Sequence, residues 1–283
     1  MRREVSVKDM ILPPRALDDL DSFCEILRAD RVGVFSDFDG TLTPLFDDHR
    51  DTVLSPAIRD TLSELSRKVE LVAVVSGRDV RYLRETIGLK SVTYVGNHGL
   101  EEWKARGEQP EYRAQVPVGL VEEVESGVGH IGISGLLVEN KGLRVAVHYR
   151  NAPDLAAARS AVLQMLEPLA TSRGLGIKEG KMVWEIGPRV EVNKGTAVRR
   201  LAREYELTGA IVLGDDVTDC DAFDALHGLV RERGRKGAAV AVMDEETPES
   251  VLREADYYLS GLEEVEQFLR WMAYASSRAE RKL

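Results

Sequence analysis

A chain of 283 residues and 31.4 kDa has room for about two domains. Hydrophobic residues make up 43% and charged residues 30%, which supplies a sizeable core and excludes disorder, a collagen-like repeat and a disulfide scaffold. The net charge is −10 with no long basic stripe, so neither nucleic acid nor an anionic membrane is expected as a partner. Cys24 and Cys220 form no CxxC pair and are expected as free thiols in a reducing compartment. No apolar run reaches the roughly 18 residues of a membrane span. The start, MRREVSVKDM, lacks a signal-peptide core, so a soluble cytoplasmic protein is expected.

In chain order, Pro13-Pro14 makes a stiff entry, and residues 15–28 place Leu17, Leu20, Phe23, Cys24 and Leu27 on one face of a lead-in helix. Residues 31–36 are too short for a buried helix and rich in β-branched and aromatic side chains, hence a buried strand. Ser55 caps a helix with Pro56 at its first position, running to about Lys68. LVAVV (residues 71–75) is a second buried strand, Asp79 caps a helix that stops at Gly88, and residues 93–95 form a third strand before GNHG. Strand, helix, strand, helix, strand is the rhythm of a doubly wound, Rossmann-like α/β sheet. It resumes with a helix over 195–205, strands at 210–213, 238–242 and 257–259, a helix opened by Thr247-Pro248-Glu249, and a last helix over 262–275. Residues 276–283 read as a solvated tail.

The stretch from His98 to Lys194 is too long for a loop. Residues 136–141 and 143–150 read as a hairpin, 154–172 as a long helix with Leu155, Val162, Met165 and Leu166 inward, and 175–181 with 182–186 as another hairpin. Two hairpins with two helices make an inserted α+β cap, its sheet open on one face. The core is expected at 1–104 and 187–283, the cap at 105–186.

Polar residues cluster where strands end, and in open parallel sheets that edge binds ligands. Asp37 and Asp39 in DFDGT follow the first strand, Ser76-Gly77-Arg78 the second, Asp215, Asp216 and Asp219 (GDDVTD) the fourth, and Lys194 opens a helix. A phosphate needs donors such as Ser76 and Gly77 and a positive charge such as Lys194. A hard divalent cation needs a few carboxylates, which Asp37, Asp215 and Asp219 supply. A calcium loop does not fit, because Thr41 and Leu42 stand where that pattern needs an Asp or Asn and a Gly. GxxxxGK[ST] and GxGxxG are both absent, so nucleotide binding has no support. Cys220 reads as a small apolar filler, the basic run at 231–237 as a solvated loop, and His49, His130 and His227 lack ligand-like spacing.

DFDGTL, SGR, a lysine opening a helix, and GDDxTD together resemble the haloacid dehalogenase-like phosphatases. The insert after the third strand, with GNHGLE, LLVENKGLRVAVHYR and VWEIGP, narrows the resemblance to the trehalose-6-phosphate phosphatase family over about residues 30–260. The chain departs from that pattern at Cys220, where the family usually carries an acid. The resemblance implies Mg²⁺-dependent hydrolysis of trehalose 6-phosphate, with Asp37 as nucleophile forming an aspartyl phosphate and Asp39 as general acid and base. Mg²⁺ would lie on the Asp37 and Asp215 carboxylates and the Asp39 carbonyl, with Asp216 and Asp219 acting through water or orienting other groups. Ser76, Gly77 and Lys194 would hold the phosphate. Arg78, His98, Glu139, Lys141, Arg150 and Glu185 would contact substrate, the cap lying over the sugar. Functional pairing with a trehalose-6-phosphate synthase is also implied. Three rivals stay open. The same chemistry could act on another sugar phosphate (a glycosyl phosphoglycerate, sucrose 6-phosphate or a pseudo-disaccharide phosphate). A phosphomutase, or a non-catalytic sugar-phosphate sensor, are the others.

Overall fold

The computed structural model describes residues 12–45, 52–112, 118–141, 144–189, 192–232 and 234–279. The N-terminal decapeptide, His49, the glycine of the first cap hairpin and the last four residues of the expected tail lie outside them. Packing divides the chain into two compact units, Met1–Pro110 with Val192–Leu283, and Glu111–Glu191.

The first unit begins with a 3-10 turn, Ala16–Asp18, and α1 (Leu20–Leu27), so the lead-in helix is broken at Asp19. Next come β1 (Val32–Ser36), α2 (Pro56–Leu65), β2 (Leu71–Val75), α3 (Val80–Ile87), β3 (Thr93–Gly96) and β4 (Glu101–Trp103). The caps are those the sequence signals. Ser55 Oγ accepts from Ile58 N–H at 3.1 Å, Asp79 Oδ1 from Arg81 and Tyr82 N–H at 3.0 and 2.9 Å, and Gly88 ends α3 at φ 72°.

The second unit holds a two-residue strand β5 (Glu111–Tyr112), α4 (Leu120–Ile131), β6 (Leu137–Asn140), β7 (Val145–His148), α5 (Leu155–Arg173), β8 (Leu175–Gly180) and β9 (Val183–Pro188). The chain then returns to the first unit with α6 (Lys194–Glu204), β10 (Gly209–Gly214), α7 (Val217–Val230), β11 (Lys236–Met243), α8 (Glu249–Glu254), β12 (Tyr257–Ser260) and α9 (Gly261–Ala279). α9 runs past the expected tail, and Ser276 is buried with its hydroxyl on Met272 O at 2.8 Å. Both unit boundaries fall a few residues beyond the expected ones. Trp103 pairs with Tyr94 and Arg106 N–H bonds Lys90 O, which keeps that segment in the core. At the other end β9 continues within the cap sheet to Pro188.

In the core sheet the strands lie in the order β12-β11-β10-β1-β2-β3-β4, parallel throughout except for β4. β1, β2 and β10 are buried along their whole length, as a sheet covered by helices on both faces requires. Val34, Val72, Val74, Ile211 and Leu213 pack with α1, α2 and α9, while Phe35, Ala73, Val75 and Val212 pack with α6 and α7. The chain leaves β1 toward β2 and later returns on its other side as β10, so the topological switch point is at β1.

The cap sheet runs β6-β7-β9-β8, antiparallel throughout. Val145, Val147, Trp184 and Ile186 pack with Leu120 and Val124 of α4 and with Ala158, Val162, Leu166 and Ala170 of α5. Leu155 is not in that set. It is 41% exposed, because it sits at the first residue of α5, ahead of the buried stripe that recurs every four residues. Among the described residues no helix is long and apolar enough to cross a membrane.

Candidate active site

Asp37 extends the ladder one residue past β1, its N–H bonding Leu213 O at 2.9 Å. The chain then turns sharply, with Leu42 N–H on Phe38 O at 2.9 Å and Gly40 N–H on Thr43 O at 2.8 Å. Gly40 is at φ 81°, and a Cβ there would fall 2.1 Å from Asp215 Oδ2, so only glycine lets the turn pack on Asp215. From β10 come Asp215 and, four residues on in the first turn of α7, Asp219. Asp37, Asp215 and Asp219 each offer a carboxylate oxygen, and these oxygens lie within 4.8 Å of one another.

Lys194 reaches into this acidic cluster from the N-terminus of α6. Its position is set by the Asn193 cap, whose Oδ1 accepts from Thr196 N–H at 2.8 Å while Thr196 Oγ1 accepts from Asn193 N–H at 3.0 Å. Lys194 Nζ lies 3.0 Å from Asp37 Oδ2 and 2.8 Å from Asp219 Oδ1. Asp219 also accepts from the Asp215 and Asp216 N–H groups at 3.2 and 3.1 Å, so it serves as an anchor for the lysine and the loop. Thr41 Oγ1 donates to Asp215 Oδ1 at 2.6 Å. That contact escapes sequence reasoning, although Thr41 stands within the DFDGT motif; only the meeting of β1 and β10 reveals it.

All four charged groups are buried, and three are negative against one positive. Burial pushes the Asp37, Asp215 and Asp219 carboxyls up, Asp215 to about 7, with Lys194 opposing it at each and the Thr41 hydrogen bond opposing it at Asp215. Burial alone would lower Lys194, but Asp219 and Asp37 hold it above its usual range and keep it charged. A hard oxygen donor set with surplus negative charge in a desolvated site is the chemistry that suits a small divalent cation. Asp216, although tied to Asp219 by a capping box at the start of α7, is exposed, and its carboxylate accepts from Thr218 Oγ1 at 3.4 Å.

Ser76, Gly77 and Arg78 leave β2 along the same edge. Arg78 holds Asp39 through two hydrogen bonds, Nε to Oδ2 at 2.8 Å and Nη2 to Oδ1 at 2.7 Å. The sequence reading makes Arg78 a substrate contact, and here its fork is set on the carboxylate two residues after Asp37. Its guanidinium also lies over the Tyr82 ring, 5.0 Å from the centroid. His98 follows β3, and its ring lies against Gly77. Cys220, on α7, is a partly buried free thiol packed against the core, and burial pushes it up, away from nucleophilic use.

A second polar cluster lies on the cap sheet's face away from α4 and α5. Glu139 is opposite Ala146, which is opposite Glu185, so the two glutamates flank one small residue on a common face. Lys141, just past β6, reaches Glu185 Oε1 at 2.9 Å, and His148 Nε2 lies 2.8 Å from Glu139 Oε2. Arg150 follows β7 and is exposed.

The backbone defines the class. A parallel sheet with an acidic switch point and an inserted cap is the architecture of a haloacid dehalogenase-like hydrolase. The chain is similar to such a hydrolase from Bacteroides thetaiotaomicron at TM-score 0.62 and 14% identity, covering 90% of this chain and 100% of that one, a likeness of fold. Residues 35–259 match the trehalose-phosphatase family, and the chain belongs to that family. The trehalose-phosphate phosphatase of Mycobacterium tuberculosis is 33% identical over 245 residues, 80% of this chain and 60% of that protein. This chain thus spans under two thirds of the length of that relative. A structure of Aspergillus fumigatus trehalose-6-phosphate phosphatase superposes at TM-score 0.67 with 26% identity, covering 93% of this chain and 99% of that one.

Proposed function

We propose that this protein hydrolyses trehalose 6-phosphate to trehalose and phosphate. The observation that carries the reading is the buried constellation of Asp37, Lys194, Asp215 and Asp219 at the carboxyl edge of β1 and β10, in a chain of this family. Asp37 attacks phosphorus, forming an aspartyl phosphate as the bond to the sugar oxygen breaks, and Asp39 gives that oxygen its proton. Asp39 then takes a proton from water, whose oxygen attacks the same phosphorus and releases phosphate with Asp37 restored. Lys194, 3.0 Å from Asp37, offsets the charge of a carboxylate approaching an anion. Ser76 Oγ and Gly77 N–H donate to the phosphate oxygens. Arg78 keeps the Asp39 carboxylate oriented through its two hydrogen bonds.

The buried carboxylate cluster suits Mg²⁺, which the Asp37 and Asp215 carboxylates and the Asp39 carbonyl would hold, with Asp219 orienting Lys194 and Asp216 contributing through water. When bound it supplies positive charge beside the reacting phosphoryl group. In the cap, Glu139 and Glu185 accept hydrogen bonds from sugar hydroxyls and Lys141 donates to others, with Arg150 and, from the core, His98 as further substrate contacts. The protein works in the cytoplasm, consistent with its two free thiols, and is paired functionally with a synthase that supplies the sugar phosphate.

The test is phosphate release across a panel of sugar phosphates with and without Mg²⁺, using Asp37→Asn as blank. Preference for trehalose 6-phosphate is expected. Mg²⁺-dependent release favouring another sugar would keep the core chemistry and discard the cap assignment. Binding without release from any sugar would make the protein a sensor.

A further inference from the structure

Glu101 is a carboxylate that the proposed reaction does not use, yet it is only 3% exposed. It opens β4, and both its oxygens are engaged. Oε1 accepts from the Asn97 side-chain amide, and Oε2 from Val80 N–H at 3.3 Å, at the first residue of α3. These partners belong to two different loops. Val80 follows Ser76-Gly77-Arg78, whereas Asn97 begins the turn after β3.

The same two loops also meet through their backbones: Asn97 N–H donates to Arg78 O and His98 N–H to Ser76 O, each at 2.9 Å. Asn97 and His98 are both left-handed, at φ 47° and 55°, a conformation that side-chain-bearing residues keep only when their surroundings hold them. The His98 ring rests on Gly77, where a Cβ would come within 2.9 Å of Cε1 and Nε2. Helix capping alone does not account for Glu101: Asp79 takes the Arg81 and Tyr82 N–H groups and Glu101 takes that of Val80, but its other oxygen is spent on the Asn97 side chain, outside the helix. Burial pushes the Glu101 carboxyl up while the Asn97 hydrogen bond opposes this, as expected of an acid retained for its contacts.

We propose that Glu101 is a positioning residue whose clasp on Asn97 and Val80 holds the left-handed Asn97-His98 turn, and with it His98, against the Ser76-Gly77-Arg78 loop. The inference rests on the reading of that loop and His98 as phosphate and substrate contacts. Glu101 then acts on substrate only through His98.

The test is a double-mutant cycle in the full chain with Glu101→Ala, His98→Ala and both together, and Glu101→Gln as the conservative variant. Glu101→Ala is expected to lower kcat/KM for trehalose 6-phosphate about tenfold. The double variant should fall within about twofold of His98→Ala alone, because the residue being positioned is already gone. Glu101→Gln should recover most of the loss, its amide accepting from Val80 and donating to a flipped Asn97. Losses that multiply across the cycle, or a Glu101→Ala protein as active as the parent, would overturn the proposal.

The His98 ring signals, assigned in NMR spectra by their disappearance in His98→Ala, give a readout that needs no turnover. They should move in Glu101→Ala and return in Glu101→Gln. Unmoved signals in folded Glu101→Ala would overturn the clasp whatever the substrate. Shifted signals in a protein inactive on trehalose 6-phosphate would instead sink the substrate reading and leave the clasp standing. Should Glu101→Ala fail to fold, Asn97→Gly keeps the positive φ, deletes the amide and must show the same shift; an unmoved ring there counts equally against the proposal.

Discussion

The core and the cap each carry a polar cluster, and the two are held on different terms. In the core, Lys194 and Asp219 are each 2% exposed and Asp37 7%, in a site built from the ends of β1 and β10 and the starts of α6 and α7. In the cap, the Glu139, His148 and Lys141 side chains are 46%, 29% and 25% exposed and only Glu185, at 13%, is nearly buried, on a sheet face that no cap helix covers. A charge that has lost its water depends on each remaining partner, so removing one is costly. A charge that keeps its water loses little with a neighbour. Changes in the core are therefore expected to act on both chemistry and stability, and changes on the cap face on substrate choice.

Asp37→Asn should produce the largest effect, a fall in turnover on the order of 10⁴-fold or more with the fold kept, since nothing else can form the aspartyl phosphate. Substantial residual turnover would refute the nucleophile assignment. Lys194→Met comes next. It strands Asp37 and Asp219 without their cation, and denaturant unfolding of the metal-free protein should show a loss of about 3–5 kcal/mol. A change below about 1 kcal/mol would mean that the core charges are better solvated than their burial implies.

The pH dependence of the metal-free protein probes the same burial. Asp215 lies near 7 when folded against an ordinary 3.8, so the folded state binds more protons between those values. Its contribution is fully present below about pH 4 and is lost as the pH rises through 7, at up to about 1.4 kcal/mol per pH unit. Mg²⁺ should consequently raise the melting temperature more at pH 8 than at pH 5, and equal increments would contradict the proposed ligand set.

On the cap face, Glu139→Ala, at a side chain 46% exposed, is expected to cut kcat/KM for trehalose 6-phosphate about tenfold while sparing a small aryl phosphate, with stability nearly unchanged. Equal losses on both substrates would show that this face does not select the sugar. The smallest effect belongs to Leu155→Ala, within about 0.5 kcal/mol, against about 2–5 kcal/mol for Leu166→Ala on the same helix. Thermal unfolding of the pair checks the exposure difference within the cap.

Much of the scaffold was legible because its signals are local. Buried runs such as residues 71–75 end abruptly in polar residues, and Ser55-Pro56, Asp79 and Gly88 mark helix ends by rules that need only a few neighbours. The local reading fails where a segment carries two messages. Residues 215–219 read as a ligand cluster, and α7, whose stripe of Ala222, Phe223, Leu226 and Leu229 follows directly, goes unplaced. In α4, glycines at 127 and 129 dilute the periodicity, and the helix stands through Leu120 and Val124 in the cap core. The tail is helical for a tertiary reason as well: Met272 and Ala273 pack in the core and draw the last turns along.

Residue types and their order were enough to specify the strand-end acids, the lysine at a helix start and the inserted cap, because each is written within a few positions of a strong periodic run. Which charges meet is another matter. Lys194 with Asp37 and Asp219, Arg78 with Asp39, Thr41 with Asp215 and Glu101 with Asn97 are chosen by how strands align and loops cross, and burial then sets what each group can do. Apart from Glu101 with Asn97, four positions away in the same segment, these pairings span from 25 to 174 positions, and no local pattern encodes them, because they follow from how strands and loops meet rather than from any one segment.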